Sequence, residues 1–273
     1  MVASDTGWKD KGVRRLAAAI VPDGLKRRHE SWSTSRYRAV VDPAAREFVL
    51  RYGTRVLHGP LRGLEYSVAD GGPWSNDVVA KLTGSYECEL HPALEEWIAA
   101  QPSHVVDVGC AEGFYAVGLA RVMRATTVHA FDVDERARAA CAAVARANHV
   151  DDRVRIAGLC DAGDLRALPV TGVALLADCE GCERTLLDPA LAPVLRGWPM
   201  IVELHEFLDP GIEARLRERF GPSHDIELVA ESPRDPGAVA ELGFLSPRVR
   251  ARVLDERRPA PMRWAVLRPR GRS

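Results

Sequence analysis

The sequence predicts an α/β protein built on a doubly wound, mostly parallel sheet of seven strands, and three observations support this fold class. Apolar runs of strand length alternate with helix-like segments, at the spacing typical of strand–helix–strand units. The first of these runs, 105–108, ends in a glycine-rich turn that passes straight into a helical pattern. The last two strands are joined by a long segment, 232–261, without a further strand–helix unit. The seventh strand is therefore expected to run antiparallel to its neighbour.

Seven segments have the apolar composition of strands and are bounded by turn-forming residues. They are 105–108, 126–132, 153–161, 172–181, 199–207, 224–231 and 262–269. The predicted helices have apolar residues at helical spacing and lie before and between these strands. They are 92–100, 114–123, 134–148, 162–168, 182–197 and 210–220, with Asp134 as the expected N-cap of the third.

Residues 1–92 form a predicted N-terminal α+β extension, and residues 93–273 form the main domain. A pattern of basic and apolar residues at 9–28 predicts a helix interrupted at 22–24. We expect this helix to pack with a solvated basic face, although it is also a candidate for membrane-surface binding or homodimer contact. Segment 37–70 predicts a short helix and two strand-like pieces, and the aromatic, polar segment 71–92 predicts either a lid or packing at a junction.

Composition excludes little but favours some partners over others. The 273 residues contain 37 basic and 38 acidic side chains, for a net charge of −1, so no bulk electrostatic attraction to nucleic acid or anionic lipid is indicated. No apolar segment approaches the roughly 20 residues that cross a bilayer. The N-terminus lacks the apolar core of a signal peptide, so we expect a cytoplasmic protein.

The cysteines fall mostly within predicted elements or at strand ends, and we expect them to be free thiols. They are Cys88, Cys110, Cys141, Cys160, Cys179 and Cys182. The last two form a lone C-x-x-C without the second pair of a zinc site or the context of a thioredoxin-like motif. Small buried side chains are the expected role of this pair.

The glycine-rich turn predicts a nucleotide-like ligand at the carboxyl edge of the sheet. Gly109 can adopt backbone angles that a side chain forbids, and Gly113 lets the next helix approach the strand closely. Asp132 ends the second strand at the separation where a carboxylate meets a ribose diol. Asp134 is the better cap for the following helix, which leaves Asp132 free. Asp161 ends the third strand, where it could bond an adenine amino group or cap the short helix.

Strands four and five end in further titratable residues. Asp178 follows the fourth strand, and Glu203 and His205 differ by two positions, so they face the same side of the fifth. A glutamate between Val202 and Leu204 is costly to bury unless it is paired, so Glu203 requires a partner.

These motifs together resemble a known family. The segments VVDVGCAEGFY, HAFDVD, LLADCEGCE and IVELHEF, with Asp161, are similar to those of class I S-adenosylmethionine-dependent methyltransferases, and the last two segments to the FkbM-like group. Ala111 stands where many members have a further glycine, and Cys179 and Cys182 replace commoner apolar residues. The resemblance implies a Rossmann-like methyltransferase fold of seven strands, with the last antiparallel, and S-adenosylmethionine as the cofactor.

The resemblance also implies roles for individual residues. Asp107, Gly109 and Gly113 would shape the loop under the methionine moiety, and Asp178 would face the transferred methyl group. Asp132 would hold the ribose hydroxyls, and Asp161 would meet the adenine. Further expected cofactor contacts are Cys110, Glu112, Phe114, Tyr115, Val133 and Cys160.

Methyl transfer from a sulfonium requires mainly alignment and removal of a proton from the acceptor. For a hydroxyl acceptor, His205 is the best-placed base and Asp178 the alternative, with Glu203 beside them. These three side chains could instead bind Mg²⁺ or form a hydrogen-bonded network without a metal. The expected function is O-methylation of a small hydroxylated metabolite, such as a sugar or a scaffold of secondary metabolism.

Three alternatives stay open. The same cofactor could serve N- or C-methylation or donate its aminocarboxypropyl arm. A nicotinamide-dependent dehydrogenase would share the turn and the acid after the second strand, but strands four and five have no obvious part in hydride transfer. A non-catalytic module could bind the cofactor and interact with proteins through the N-terminal basic helix. Acceptor specificity would come from 71–91 and 232–261, which contain no recognisable code.

Overall fold

The protein's structure, a computed structural model, describes residues 23–66, 77–258 and 260–271, with side chains from Tyr37 onward. Its centre is a seven-stranded sheet in the order β3-β2-β1-β4-β5-β7-β6. The strands are β1 His104–Val108, β2 Thr127–Phe131, β3 Val154–Ala157, β4 Val173–Ala177, β5 Met200–Leu204, β6 His224–Ala230 and β7 Arg263–Pro269. The predicted seven strands and their α/β alternation are confirmed.

The directions of the strands show which edge of the sheet is expected to bind a ligand. Strands β1 to β5 pair in parallel, whereas β7 runs antiparallel to both β5 and β6, as the long segment before it predicted. Chain order reverses between β1 and β4, where Val108 pairs with Ala177. The residues after these two positions are therefore neighbours at the topological switch point, where open α/β sheets bind ligands.

Nine α-helices cover the sheet in the described ranges. They are α1 Asp23–Tyr52, α2 Val78–Thr83, α3 His91–Ala100, α4 Phe114–Val122, α5 Glu135–Ala147, α6 Ala162–Arg166, α7 Glu183–Leu186, α8 Ile212–Phe220 and α9 Pro247–Val253. The prediction of a single helix at 182–197 is wrong, because only α7 and a 3₁₀ turn at Pro193–Gly197 form there. Pro189 and Pro193 lack the amide hydrogen that a continuous helix needs.

Alternation along the strands fills two apolar cores. Val105 of β1 and Leu176 of β4 belong to one cluster of buried residues, whereas Val106 and Leu175 belong to the other. Each face of the sheet therefore buries its own layer of side chains, as expected of a mostly parallel sheet.

The N-terminal extension is more helical than predicted. Helix α1 is continuous for 30 residues with Pro43 inside it, and the strand-like pieces reduce to one antiparallel bridge between Arg55 and Glu65. The Asn148 side chain bonds both the amide and the carbonyl of Glu65, at 2.8 Å each, where a longer strand would have had a backbone partner. Phe48 of α1 lies in the same apolar cluster as β1, so the extension shares a core with the sheet.

Parts of the predicted extension lie outside the described residues. These are the basic pattern up to residue 22 and residues 67–76, which include the start of the lid-like segment. The rest of that segment is packed: every residue of α2 is buried, and α3 crosses the predicted boundary after residue 92. Across the described ranges, no helix combines the length and apolar character needed to cross a bilayer.

Candidate active site

Two cavities meet at the switch point. The first cavity, of about 490 Å³, lies between the turn after β1, the ends of β2 and β3, and the loop after β4. The second cavity, of about 200 Å³, lies between the ends of β4 and β5 and the segment before β7. Asp178 and Glu180 line both cavities. A group at Asp178 can therefore contact occupants of either side.

The turn after β1 requires glycine for steric reasons. Gly109 has φ +88°, and a Cβ on it would lie 1.6 Å from the backbone oxygen of Asp178. Gly113 has φ +86°, and a Cβ there would lie 2.7 Å from Sγ of Cys141. Ala111 also has a positive φ, 44°, which explains why a glycine would suit this position equally well. The backbone of β1 thus passes directly against that of β4 beneath the first cavity.

Asp132 ties the end of β2 to this turn. Its Oδ2 accepts a hydrogen bond from the Ala111 amide at 2.9 Å, and its Oδ1 accepts one from the Asp134 amide at 2.8 Å. The side chain of Asp134 caps α5 by accepting from the Arg136 amide, as predicted. Asp132 is therefore not free, as the sequence suggested, but it lines the first cavity and its carboxylate retains lone pairs for a diol.

Two exposed apolar side chains lie at the wall of the first cavity. Val133 and Leu159 are 74% and 73% exposed, and Cys160 lies beside them, buried. Large apolar side chains in such positions can sandwich a flat ring. Val133 and Cys160 were expected contacts, whereas Leu159 was missed because a single leucine in a strand-like run has no distinguishing pattern.

Several expected cofactor contacts do not line the first cavity. The described lining of the first cavity does not include seven of them: Asp107, Cys110, Glu112, Gly113, Phe114, Tyr115 and Asp161. Asp161 caps α6 in a capping box, its Oδ1 accepting from the amides of Gly163 and Asp164. The structure therefore gives Asp161 the capping role that the sequence left as an alternative to adenine binding.

Asp107 lies beneath the turn, almost fully buried in β1. Neither of its oxygens has a well-formed hydrogen bond among the described residues. Burial raises the pKa of Asp107 to about 7, against a smaller opposing contribution from the Ala116 backbone amide. A buried carboxyl without a counter-charge is costly, so its presence under the turn is a feature that packing does not account for.

Glu112 and Phe114 help to enclose a buried lysine. Lys81 Nζ lies 2.9 Å from Glu112 Oε1 and 3.1 Å from Asp77 Oδ2, with the rings of Tyr86 and Phe114 within 5.5 Å. Burial alone would raise the pKa of Glu112, but the Lys81 charge and hydrogen bonds outweigh it and lower that pKa to about 2. Glu112 thus holds the turn to α2 rather than contacting the first cavity.

Tyr115 points toward the second cavity's charged wall. Its hydroxyl donates to Glu87, and the same carboxylate accepts from the Arg258 guanidinium. Burial raises the pKa of Glu87 to about 7, although Arg258 and Tyr115 act in the opposite direction. Arg258 also contacts Glu203 and Glu256, so one guanidinium joins three carboxylates from distant parts of the chain.

The predicted cluster at strands four and five does come together. His205 Nε2 lies 3.3 Å from Glu203 Oε2 and 3.5 Å from Asp178 Oδ1. His205 Nδ1 lies 3.0 Å from Oε1 of Glu183, which is buried and accepts from the amides of Cys179 and Gly181. Glu203 has the partners that its burial requires, His205 and Arg258.

Protonation follows from this arrangement. Burial alone would lower the pKa of His205, but the hydrogen bonds and charges of Glu183 and Glu203 raise it to about 10. Burial and the neighbouring Glu203 raise the pKa of Asp178 well above its usual range. Burial alone would raise the pKa of Glu203, but His205, Asp178 and Arg258 lower it. The three groups therefore share protons as one unit.

Sequence reasoning missed the partners of this cluster. Glu183, Glu87 and Arg258 are separated from Asp178 by between 5 and 91 positions, and no motif links them. Glu183 could have been suspected, since it follows the CEGC run and would be buried at the start of α7. Glu87 and Arg258 carried no signal, because neither belongs to a recognisable motif and charged residues are common in loop-like segments.

Cys179 and Cys182 are joined in a disulfide, with Cα atoms 5.4 Å apart. The expectation of free thiols is therefore wrong for this pair and holds for the other four cysteines. The turn between β4 and α7 brings the two Cα atoms within the range that a disulfide bridges. Both side chains line the first cavity, next to Asp178.

Comparison with known proteins gives likeness in structure but not in sequence. No protein-family model matches the chain. No curated protein matches it either.

Three solved structures illustrate the likeness. Cofactor-bound Rv0187 from MTB is 15% identical over 72% of this chain and 99% of its own, with a TM-score of 0.44. A protein from Klebsiella pneumoniae, provisionally assigned as an O-methyltransferase, is 14% identical over 80% and 88%, with a TM-score of 0.41. An rRNA methylase from Streptococcus thermophilus is 13% identical over 66% and 96%, with a TM-score of 0.44. Likeness this low assigns no role to any side chain of this chain.

Proposed function

We propose that this chain is an S-adenosylmethionine-dependent methyltransferase that methylates a hydroxyl group of a small polar metabolite. The observation that carries the proposal is the position of Asp178, which lines both cavities where the chain order of the sheet reverses. One cavity has features that suit a nucleoside, and the other contains titratable groups that suit an acceptor.

The first cavity fits S-adenosylmethionine in three respects. Gly109 lines the cavity without a side chain, so a ligand can lie close to the backbone of the turn. Asp132 offers a carboxylate to the ribose hydroxyls, and Val133 and Leu159 offer apolar surfaces to the adenine. When bound, the cofactor supplies an electrophilic methyl group on a sulfonium leaving group.

The residues of the second cavity would align the acceptor and receive its proton. We assign proton uptake to Asp178, Glu203 and His205 as a unit, since the three share protons within hydrogen-bonding range. Glu183 and Arg258 are positioning residues that hold His205 and Glu203 in place. The polar walls and the volume of about 200 Å³ support a small polar acceptor.

Charge supports a small molecule over RNA as the acceptor. The chain has a net charge of −1, and acidic side chains dominate the wall of the second cavity. Phosphate backbones are bound by excess lysine and arginine, which this wall lacks. The same acidic wall would also suit an amine, so the methylated atom has to be found by experiment.

The proposal is tested first by binding and then by turnover. We expect saturable binding of S-adenosylhomocysteine in calorimetry and roughly tenfold or greater weakening in Asp132→Ala, which removes the proposed ribose contact. Asp209→Ala removes a carboxylate that contacts Arg215 and the Gly211 amide, outside the described lining of both cavities, and serves as the matched control.

Turnover against a panel of hydroxylated, amino and acidic metabolites should then yield S-adenosylhomocysteine with an O-methylated product. Asp178→Asn should abolish that turnover while S-adenosylhomocysteine still binds. Methylthioadenosine as the product would identify transfer of the aminocarboxypropyl arm instead. Absence of cofactor binding would refute the proposal.

A further inference from the structure

We propose that Asp178, Glu203 and His205 bind a divalent transition-metal ion, such as Mn²⁺, between the two cavities. This inference deepens the proposed function, on which its catalytic meaning rests, but the binding of the ion can be measured without it.

The donor atoms are close enough to share one ion. His205 Nε2 lies 3.3 Å from Glu203 Oε2 and 3.5 Å from Asp178 Oδ1, and one donor atom from each residue lies within 4.8 Å of the others. Two ligands about 2.1 Å from an ion lie roughly 3.0 Å apart at a right angle and roughly 3.4 Å apart at a tetrahedral angle. An ion therefore needs only small movements of these side chains.

The histidine is oriented as a metal ligand. Glu183 is buried and contacts His205 Nδ1 at 3.0 Å, which directs the opposite nitrogen, Nε2, toward the two carboxylates. Histidines that bind metals commonly donate their other ring N–H to such a carboxylate. Glu183 is itself held by the amides of Cys179 and Gly181, at 3.0 and 2.8 Å.

The surroundings of the three donors contain more acidic than basic side chains. His205, Arg258 and Arg234 contact six carboxylates, which belong to Glu87, Glu89, Asp178, Glu183, Glu203 and Glu256. Three cationic side chains therefore face six acidic ones in a part of the protein that is mostly buried. Buried charges are stable when they are paired or when they coordinate a metal. A divalent ion at the three donors would add positive charge to these acidic surroundings.

The donor set favours a transition metal over Mg²⁺. Mg²⁺ prefers an all-oxygen environment, whereas an imidazole with two carboxylates suits ions such as Mn²⁺ and Zn²⁺. All three donors line the second cavity, so the ion would keep coordination positions open to an acceptor there. An acceptor hydroxyl bound in such a position would lose its proton more easily, to water, so that with the ion bound the metal takes over the role assigned above to the free side chains.

The test uses the full chain, treated with a chelator and then titrated with Mn²⁺ alone, followed by calorimetry and electron paramagnetic resonance. Mn²⁺ is a suitable probe because the four free thiols have little affinity for it. We expect one saturable ion per chain, bound more tightly than Mg²⁺. Binding should be lost in His205→Gln and Glu203→Gln, and Glu183→Gln should weaken it roughly 10- to 100-fold.

Glu206→Gln is the matched control, because it removes a neighbouring carboxylate that contacts Arg263 rather than His205. We expect this variant to bind Mn²⁺ like the native chain. Each variant's circular dichroism and S-adenosylhomocysteine affinity report whether it has folded.

Three results would overturn the metal site: no saturable Mn²⁺ binding, tighter binding of Mg²⁺, or unchanged Mn²⁺ binding in folded His205→Gln. Binding of S-adenosylhomocysteine without binding of Mn²⁺ would refute the metal site and support the proposed function. Binding of Mn²⁺ without binding of S-adenosylhomocysteine would support the metal site and refute the proposed function.

Discussion

The two cavities that meet at Asp178 are built in different ways. The first cavity is shaped by backbone: a glycine turn, the strand ends beside it and one carboxylate that bonds two amides. The second cavity is shaped by charged side chains from separate segments, joined through Arg258 and His205. A backbone cradle suits a ligand of constant shape, whereas a network of side chains can be changed residue by residue without altering the sheet. We therefore expect the second cavity, rather than the first, to set the specificity for the acceptor.

Removing Arg258 should have the largest effect on stability, because Arg258 joins the carboxylates at the second cavity. Arg258→Met leaves Glu87, Glu203 and Glu256 without their shared cation, and losing one partner of a buried ion pair costs about 4 kcal/mol. Urea unfolding at pH 7 measures this loss. Arg257→Met is the control, since Arg257 stacks on Tyr37 and forms no ion pair within the described part of the chain. Equal effects of the two variants would mean that charge does not hold the second cavity together.

Gly109→Ala tests whether the first cavity depends on the close backbone contact between the turn after β1 and Asp178. The added Cβ would meet the Asp178 carbonyl at 1.6 Å in a backbone conformation that alanine disfavours, so we expect a loss of about 3 kcal/mol and of cofactor binding. Thermal unfolding and calorimetry with S-adenosylhomocysteine measure the two effects. Gly158→Ala lines the same cavity but has open space around its Cβ, and its stability should change little. A stable, binding-competent Gly109→Ala would contradict the close contact between β1 and β4.

Asp107 should make the stability of the chain depend on pH, because its buried carboxyl lacks the charged partners that line the second cavity. Its pKa is raised to about 7, so at intermediate pH the unfolded chain releases a proton that the folded chain retains. The Asp107 carboxyl alone should therefore lower the stability as pH rises through this window, by about 2.5 kcal/mol from pH 5 to pH 8. Asp107→Asn should remove this contribution in urea unfolding, whereas the similar contribution of Glu87, whose pKa burial also raises to about 7, remains. Asp152→Asn, at a side chain that is 78% exposed, should keep both. An unchanged pH profile in Asp107→Asn would show that this carboxyl ionises freely.

Ala111→Gly should have the smallest effect. Ala111 has φ 44°, which glycine adopts without steric cost, so the substitution should stabilise the chain by about 0.5 kcal/mol. The amide that bonds Asp132 is retained. Ala116→Gly, inside helix α4, should instead destabilise by about 1 kcal/mol. Thermal unfolding measures both variants, and we expect a higher melting temperature for Ala111→Gly than for Ala116→Gly. Destabilisation by both would indicate that the turn does not favour glycine at position 111.

Local patterns were enough to predict the sheet but not its surroundings. The strand–helix alternation, the antiparallel last strand and the cap at Asp134 follow from neighbouring residues, and all three are confirmed. Within residues 37–66, the predicted strands reduce to one bridge, because neither piece has a long partner strand there. The disulfide between Cys179 and Cys182 was missed, since a lone C-x-x-C does not reveal the turn that brings its Cα atoms together.

The amino-acid sequence by itself determined the fold class, the glycine turn and the meeting of Asp178, Glu203 and His205. Periodicity and strand ends are local properties, and parallel strands bring their carboxyl ends to one edge. Only the tertiary structure decided which charges surround that cluster. Glu87 and Arg258 lie 171 positions apart. They meet because Glu87, just before the 3₁₀ turn Cys88–Leu90, packs against the segment that contains Glu256 and Arg258. Contacts between such distant residues depend on how the whole chain packs, so no local pattern specifies them.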